Sequence, residues 1–158
     1  WSGIYFQKVV KADKAWVGAG YTAFMCAMAS SRFVADWVAN HLKFRKTIFL
    51  SGLLVAAGLL VAVLFPSVPT ALPGFLLVGF GVSSVIPLIY SEAGKTKTLS
   101  PSMALTAVSS IGFLGFLAGP PLIGLVAGAF SLRMSFLLIS LIGLVIAGLI
   151  RFRHTEKA

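Results

Sequence analysis

Long uncharged stretches separated by short polar segments dominate the chain. Residues 15–31 carry no charged side chain, and residues 47–91 form an uncharged stretch long enough for two membrane crossings. Pro66, Pro69 and Pro73 interrupt that stretch, which predicts a tight turn between two antiparallel helices. A bilayer core needs about 20 apolar residues per helix, and barrel strands would need an alternation that these solid apolar blocks lack. The pattern therefore predicts an all-α polytopic membrane helix bundle.

Five full transmembrane helices are predicted, with no sheet. Their expected bounds are near 15–38, 47–65, 71–92, 101–129 and 132–152. Residues 1–7 look like the final turns of a further, truncated helix. Since a membrane protein that begins inside an apolar helix is expected to be a fragment, residues 1–158 are interpreted as part of a larger membrane protein.

Composition supports a membrane protein over a soluble one. The chain is 58% hydrophobic and 11% charged, with a mean hydropathy of +0.99, whereas soluble domains carry about 25% charged residues. The single cysteine, Cys26, lies in an apolar stretch and excludes a disulfide scaffold. The lipid bilayer is therefore the first predicted partner.

The charge imbalance predicts an orientation. Thirteen Lys and Arg against four Asp and Glu give a net charge of +9, which in a soluble protein would suggest nucleic acid. Here the cations lie between apolar stretches, where they set membrane orientation, so no nucleic acid partner is expected. Eight cations fall on one side: Lys43, Arg45, Lys46, Lys95, Lys97, Arg151, Arg153 and Lys157. Four fall on the other side, and Arg32 lies at the end of a span, so the C-terminus is predicted to be cytoplasmic.

Four charges at the predicted cytoplasmic face form a candidate gating cluster. Asp36 ends one helix and Arg45 and Lys46 begin the next, so each charge opposes the dipole of its own helix. Pairing across the loop would clamp the two helix ends, although ordinary positive-inside charge with one stray acid is the alternative. Glu92, at the end of the helix over 71–92, is either a third element of this cluster or a solvated acid that balances the lysines after it.

This loop resembles the signature of the major facilitator superfamily, Gly-x-x-x-Asp-(Arg/Lys)-x-x-Gly-(Arg/Lys)-(Arg/Lys), which joins the second and third helices of each six-helix half. Asp36 falls on the acid of the motif, and Arg45 and Lys46 fall on its basic pair. The chain departs from the motif in a slightly longer loop. It has Arg32 and Phe44 in place of the two glycines, and Trp37 in place of the base beside the acid.

Two later segments carry the same resemblance. Residues 115–124 look like the Gly-x-x-x-Gly-Pro-x-x-x-Gly segment in the fifth helix of a half, and residues 131–136 are similar to the Trp-Arg-x-x-Phe start of the sixth. Small residues four apart allow close helix approach, and prolines remove backbone donors and bend or break a helix. The packing and kink candidates are Gly115, Gly119, Pro120, Pro121 and Gly124. The whole chain thus resembles a C-terminal half, and its first 21 residues look most like the bacterial fucose-permease-like group.

Uncharged residues at mid-depth are the substrate-cavity candidates. Ser83 and Ser84 lie in the helix that resembles the cavity-lining helix of the superfamily, where Pro87 could open backbone carbonyls to the cavity. Tyr21 and Phe113 are further candidates. The alternative for each is helix packing or contact with lipid.

The resemblance implies a secondary active transporter, or permease, that moves a small solute by alternating access. Its implied partners are a small-molecule substrate and the N-terminal half of the same transporter. A non-transporting assembly or scaffold subunit is the alternative. No catalytic residue, metal site or cofactor is expected, because the sequence has neither a Gly-x-Ser-x-Gly nucleophile with an in-span histidine nor clustered metal ligands.

Overall fold

The computed structural model describes the backbone of residues 1–41, 44–96 and 98–155, and the side chains of 1–33, 44–96 and 98–151. Within these ranges the chain is helical and contains no strand, which confirms the predicted fold class. The helices are α1 (Ser2–Lys8), α2 (Ala19–His41), α3 (Phe44–Leu64), α4 (Val68–Ser83), α5 (Val85–Gly94), α6 (Pro101–Ala129) and α7 (Leu132–Thr155). A short 3₁₀ turn, Lys14–Trp16, precedes α2.

Four segments among the described residues are long and apolar enough to cross a membrane: Phe44–Leu64, Val68–Gly94, Pro101–Ala129 and Leu132–Arg151. The segment Val68–Gly94 comprises two helices, α4 and α5, where the sequence predicted a single one. The first predicted span corresponds to α2, whose side chains are described only as far as Phe33, so α2 as a fifth span stays a prediction.

Helix α3 lies at the centre of the bundle, between α4 and α7, and α2 packs on the far side of α4. Glycines permit these contacts. A Cβ atom at Gly52 would lie 2.7 Å from the carbonyl oxygen of Gly143 on α7. A Cβ atom at Gly74 of α4 would lie 2.6 Å from the carbonyl oxygen of Gly58 on α3. The helix backbones therefore approach too closely for any side chain larger than hydrogen at these positions.

An aromatic cluster closes one end of the bundle, where α3 turns into α4 and α6 into α7. Tyr5 and Phe6 of α1 are fully buried, and their rings contact Phe75 of α4. The Tyr5 ring centroid lies 5.1 Å from that of Phe136 on α7. The Tyr5 hydroxyl also donates a hydrogen bond to the backbone carbonyl of Ala62 on α3. The aromatic side chains of the short helix α1 thus contact α3, α4 and α7, and the Phe6 ring also packs against α2.

Helix α6 contrasts with this core. Of its 29 residues only Ala104 is buried. It contacts α7 and α5, and Ser135 of α7 donates a hydrogen bond of 3.1 Å to the carbonyl of Ile123. Pro120 and Pro121 lie inside α6, which continues through them without a break. One long apolar helix is therefore left almost bare of protein neighbours.

Candidate functional site

An open cleft between α5 and α6 is the first candidate site. Its volume is about 820 Å³, and it extends from the middle of α6 toward the end of α5, away from the aromatic cluster. The lining residues are uncharged: Ile86, Ile89, Tyr90, Val108, Ser109, Ser110, Ile111, Gly112, Phe113 and Phe116. The Tyr90 hydroxyl and the Ser109 hydroxyl lie 3.0 Å apart and share a hydrogen bond across the cleft. The cleft therefore offers apolar walls with a few neutral hydrogen-bonding groups, a composition typical of small-molecule sites.

The α4–α5 break positions one wall of this cleft. Ser84 ends α4 and precedes α5, with φ −89° and ψ −12°. Pro87 has no N–H, so the Ser83 carbonyl four residues earlier receives no helical hydrogen bond from it. The break therefore lies beside a carbonyl that lacks its usual helical donor, because Pro87 cannot supply one.

The four predicted cavity residues do not lie in one cavity. Phe113 lines the α5–α6 cleft and is 65% exposed. Ser84 lines a separate pocket of about 180 Å³ between α2, α3 and α4. Ser83 is buried and donates a hydrogen bond of 3.0 Å to the Phe80 carbonyl, and Tyr21 is exposed at the start of α2. A role in substrate binding stays a prediction for all four.

The predicted gating cluster is only partly described. The side chain of Asp36 lies outside the described residues, so its pairing with Arg45 or Lys46 stays a prediction. Glu92 forms an ion pair of 3.7 Å with Lys95, three residues later. This is the local pairing that the alternative interpretation of Glu92 expects. Both side chains are more than half exposed, so solvent screens the pair and it adds little to stability.

Arg45 and Lys46 share a second pocket with a residue that the sequence analysis counted only as an orienting cation. Arg151 of α7 lines it with them, and Phe49 and Ile150 form its apolar walls. Its volume is about 210 Å³. Sequence alone could not find this group, because Arg151 lies more than 100 residues from Lys46 and meets it only where α7 packs on α3.

The predicted packing glycines of α6 have little to pack against within the described chain. A Cβ atom at Gly115 or Gly119 would meet nothing within 4 Å, and the same holds for Gly112. Gly124 differs, because a Cβ there would lie 3.2 Å from the Trp1 ring. A packing role for Gly115 and Gly119 stays a prediction, and it needs a partner beyond the neighbours described.

Among the described residues no group of three or more His, Cys, Asp or Glu side chains could hold a metal ion. Cys26 is exposed. The described residues that line the α5–α6 cleft offer apolar surface and neutral hydroxyl groups.

The chain is similar to several membrane proteins. It is 37% identical over 147 residues to a protein named Membrane protein MosC from Rhizobium meliloti, covering 93% of this chain and 36% of that protein. It is 33% identical to an uncharacterized MFS-type transporter of Yersinia pestis, covering 93% of the chain and 38% of the relative. An uncharacterized transporter of Sinorhizobium fredii is 30% identical over 93% of the chain and 39% of its own length.

The chain thus spans between 36 and 39% of the length of the curated relatives it matches. No solved structure gives a significant match. The sequence model of the family described as Major Facilitator Superfamily matches residues 2–158, which is nearly the whole chain. On this match, and on the all-helical apolar bundle that accompanies it, the chain belongs to the major facilitator superfamily.

Proposed function

We propose that residues 1–158 form the C-terminal half-bundle of a secondary transporter that moves a small neutral solute by alternating access. The observation that carries the proposal is the uneven burial of the bundle. Helices α3, α4 and α7 share a packed core, whereas α6, with the open cleft beside it, is exposed along its length. A half-bundle that rocks against a second one is expected to leave such a face available.

The second half-bundle is the proposed partner of α6. The matched relatives are more than twice the length of this chain, which leaves room for six further helices. The bare glycines Gly112, Gly115 and Gly119 recur every three or four residues, so they share one face of α6. A helix of the other half could approach closely on that face.

The cleft supports a neutral solute. None of the described lining residues is charged, and burial of an unpaired ionic group against such walls would be costly. Tyr90 and Ser109 supply hydroxyl groups for a polar part of the solute, and Phe113 and Phe116 supply apolar surface. Both sugar-like and more lipophilic solutes fit this description, and the sequence resemblance at residues 1–21 supports assignment to the fucose-permease-like group.

Orientation and location complete the proposal. The excess of cations at the end that carries Arg45, Lys95 and Arg151 supports a cytoplasmic position for that end and for the C-terminus. In a bacterial inner membrane, the aromatic cluster would then close the end of the bundle that faces away from the cytoplasm. The cleft would open toward the cytoplasm.

The test begins with the full-length transporter in detergent and a panel of neutral sugars and lipophilic compounds. A solute that binds the folded protein raises its melting temperature by mass action. Phe113→Ala is expected to reduce that shift, whereas Phe130→Ala is the matched control, because Phe130 is 77% exposed beyond the end of α6 and away from the cleft.

Solutes that pass this screen are then tested for uptake into vesicles. Full-length protein is expected to transport, and residues 1–158 alone are expected not to, because alternating access needs both halves. Uptake by residues 1–158 alone, above an empty-vesicle control, would contradict the proposal. Failure of the full-length protein to transport any stabilising solute would favour a scaffold subunit.

A further inference from the structure

We propose that the pocket between the start of α3 and the end of α7 binds the headgroup of an anionic phospholipid. The pocket is lined by Arg45, Lys46, Phe49, Ile150 and Arg151. Three cations and two apolar side chains match the two parts of such a lipid, a phosphate and the beginning of its acyl chains. This site is distinct from the α5–α6 cleft and does not depend on which solute is moved.

The helix geometry explains why a pocket exists here. Helices α3 and α7 touch at Gly52 and Gly143, where their backbones are in contact. Lys46 precedes Gly52 by six residues and Arg151 follows Gly143 by eight, which corresponds to roughly 9 and 12 Å along the two axes. Both cations therefore lie beyond the contact, on the same side of it, where the helices leave a pocket of about 210 Å³ between them.

The charged side chains that line this pocket among the described residues are all positive. All three cations are exposed, and none of the described lining residues is acidic. The N-terminal end of α3 adds the positive end of its dipole beside Arg45 and Lys46. If Asp36 pairs with one of these residues, the local charge stays positive. Basic pockets between membrane helices are the recognised setting for anionic headgroups.

Apolar surface decides between a lipid and a soluble anion. Phe49 and Ile150 are partly exposed at the pocket. Toward the membrane centre, exposed apolar residues follow on both helices, with Leu53 on α3 and Ile146 on α7 each 43% exposed. A free phosphate would gain nothing from this surface, whereas the acyl chains of a phospholipid can lie along it. The occupant we infer is a diacyl lipid of the phosphatidylglycerol type.

The test measures lipid retained by the full-length transporter after purification from phosphatidylcholine membranes that contain phosphatidylglycerol. Native mass spectrometry counts bound phosphatidylglycerol per protein. The triple variant Arg45→Gln, Lys46→Gln, Arg151→Gln is expected to lose the retained lipid, with a fall in affinity of about fivefold per cation removed. Retention equal to that of the wild type would overturn the proposal.

The matched control removes three exposed lysines at the opposite end of the bundle, in the variant Lys8→Gln, Lys11→Gln, Lys14→Gln. It is expected to retain the lipid. An equal loss in this control would show general charge attraction and contradict a specific site. Should the triple variant fail to fold, Lys46→Gln and Arg151→Gln singly carry the same test, each with an expected fall of about fivefold.

A second arm distinguishes a lipid from a soluble anion. Inorganic phosphate and glycerol phosphate, added in excess over the lipid at constant ionic strength, are expected not to displace phosphatidylglycerol from the wild type. Ile150→Ala is expected to weaken retention of the lipid while all three cations remain. Displacement by either soluble anion at comparable concentration, or no effect of Ile150→Ala, would contradict the lipid assignment and indicate a phosphate site.

Discussion

The hydroxyl of Ser140 on α7 donates a hydrogen bond of 3.1 Å to the backbone carbonyl of Ala56 on α3, 84 residues away in the sequence. The two residues are 1% and 0% exposed. Each lies about one turn from the contact between Gly52 and Gly143, on the side that faces the aromatic cluster. The bond therefore anchors an otherwise apolar helix contact at a defined register.

Replacing Ser140 should weaken this contact. We expect Ser140→Ala to destabilise the bundle by about 0.6–1.7 kcal/mol, the range typical of interhelical hydrogen bonds in membranes. Ser110→Ala is the matched control, because the Ser110 hydroxyl is exposed and bonds only to Thr106 in its own helix. Unfolding of the purified protein in detergent and denaturant measures both variants. Equal stability of the two would contradict an anchoring role for Ser140.

The close approach of α3 and α4 makes a second prediction. We expect Gly74→Ala to destabilise the protein by about 1–3 kcal/mol, since the added Cβ would lie 2.6 Å from the Gly58 carbonyl oxygen and must push the helices apart. Gly148→Ala serves as its control, because a Cβ there meets nothing within 4 Å. The melting temperatures of the variants in detergent decide the matter. An unchanged melting temperature in Gly74→Ala would contradict this prediction, because it would mean that the two helices can move apart without loss of stability.

The break between α4 and α5 is expected to respond to Pro87→Ala. The substitution restores an N–H that can bond to the Ser83 carbonyl and removes the clash of the proline ring, so α4 and α5 should join into one helix. Amide hydrogen exchange across residues 84–90 is then expected to slow, and solute uptake by the full-length transporter to fall. Pro101→Ala, at the first position of α6, is the control that should change neither. Unaltered exchange in Pro87→Ala would contradict the origin we assign to the break.

The charge cluster around Asp36 makes the last prediction. In the full-length transporter, Asp36→Asn would remove one partner of the ion pair that we predict between Asp36 and Arg45 or Lys46. A partly exposed pair of this kind is worth about 0.2–1 kcal/mol, which is too little to unfold the protein but enough to bias two states of similar energy. We expect the variant to favour opening at the end that carries Arg45. Labelling of single cysteines at that end, with and without the substitution, measures the shift. Unchanged labelling together with normal transport would make Asp36 a simple surface acid.

The sequence predicted the all-helical fold class because that class follows from local composition. The long uncharged stretches led to it, and Pro66 and Pro69 lie between α3 and α4, where the sequence predicted a turn. It did not predict the interruption at Ser84. The effect of Pro87 there depends on whether neighbouring helices favour a straight continuation, which local sequence does not encode.

Local sequence did not predict which helices pack against each other. Among 16 glycines, spacing drew attention to Gly115 and Gly119. The close helix contacts in the described chain instead include the one between Gly58 and Gly74, which lie on different helices and share no local motif. The pocket formed by Lys46 and Arg151 depends on the same long-range packing of α3 and α7. Such positions become apparent only once it is known which helices are neighbours.

The exposure of α6 has a consequence for mutational scanning of this protein. Because only Ala104 of its 29 residues is buried, most substitutions along this helix have little native packing to lose within residues 1–158. In a scan of all positions, losses of activity on α3 or α4 will mix failed folding with failed transport. Substitutions on α6 that lower activity at normal protein abundance will indicate a role of this helix in transport rather than in folding. Helix α6 is therefore the segment where phenotype can be read most directly as mechanism.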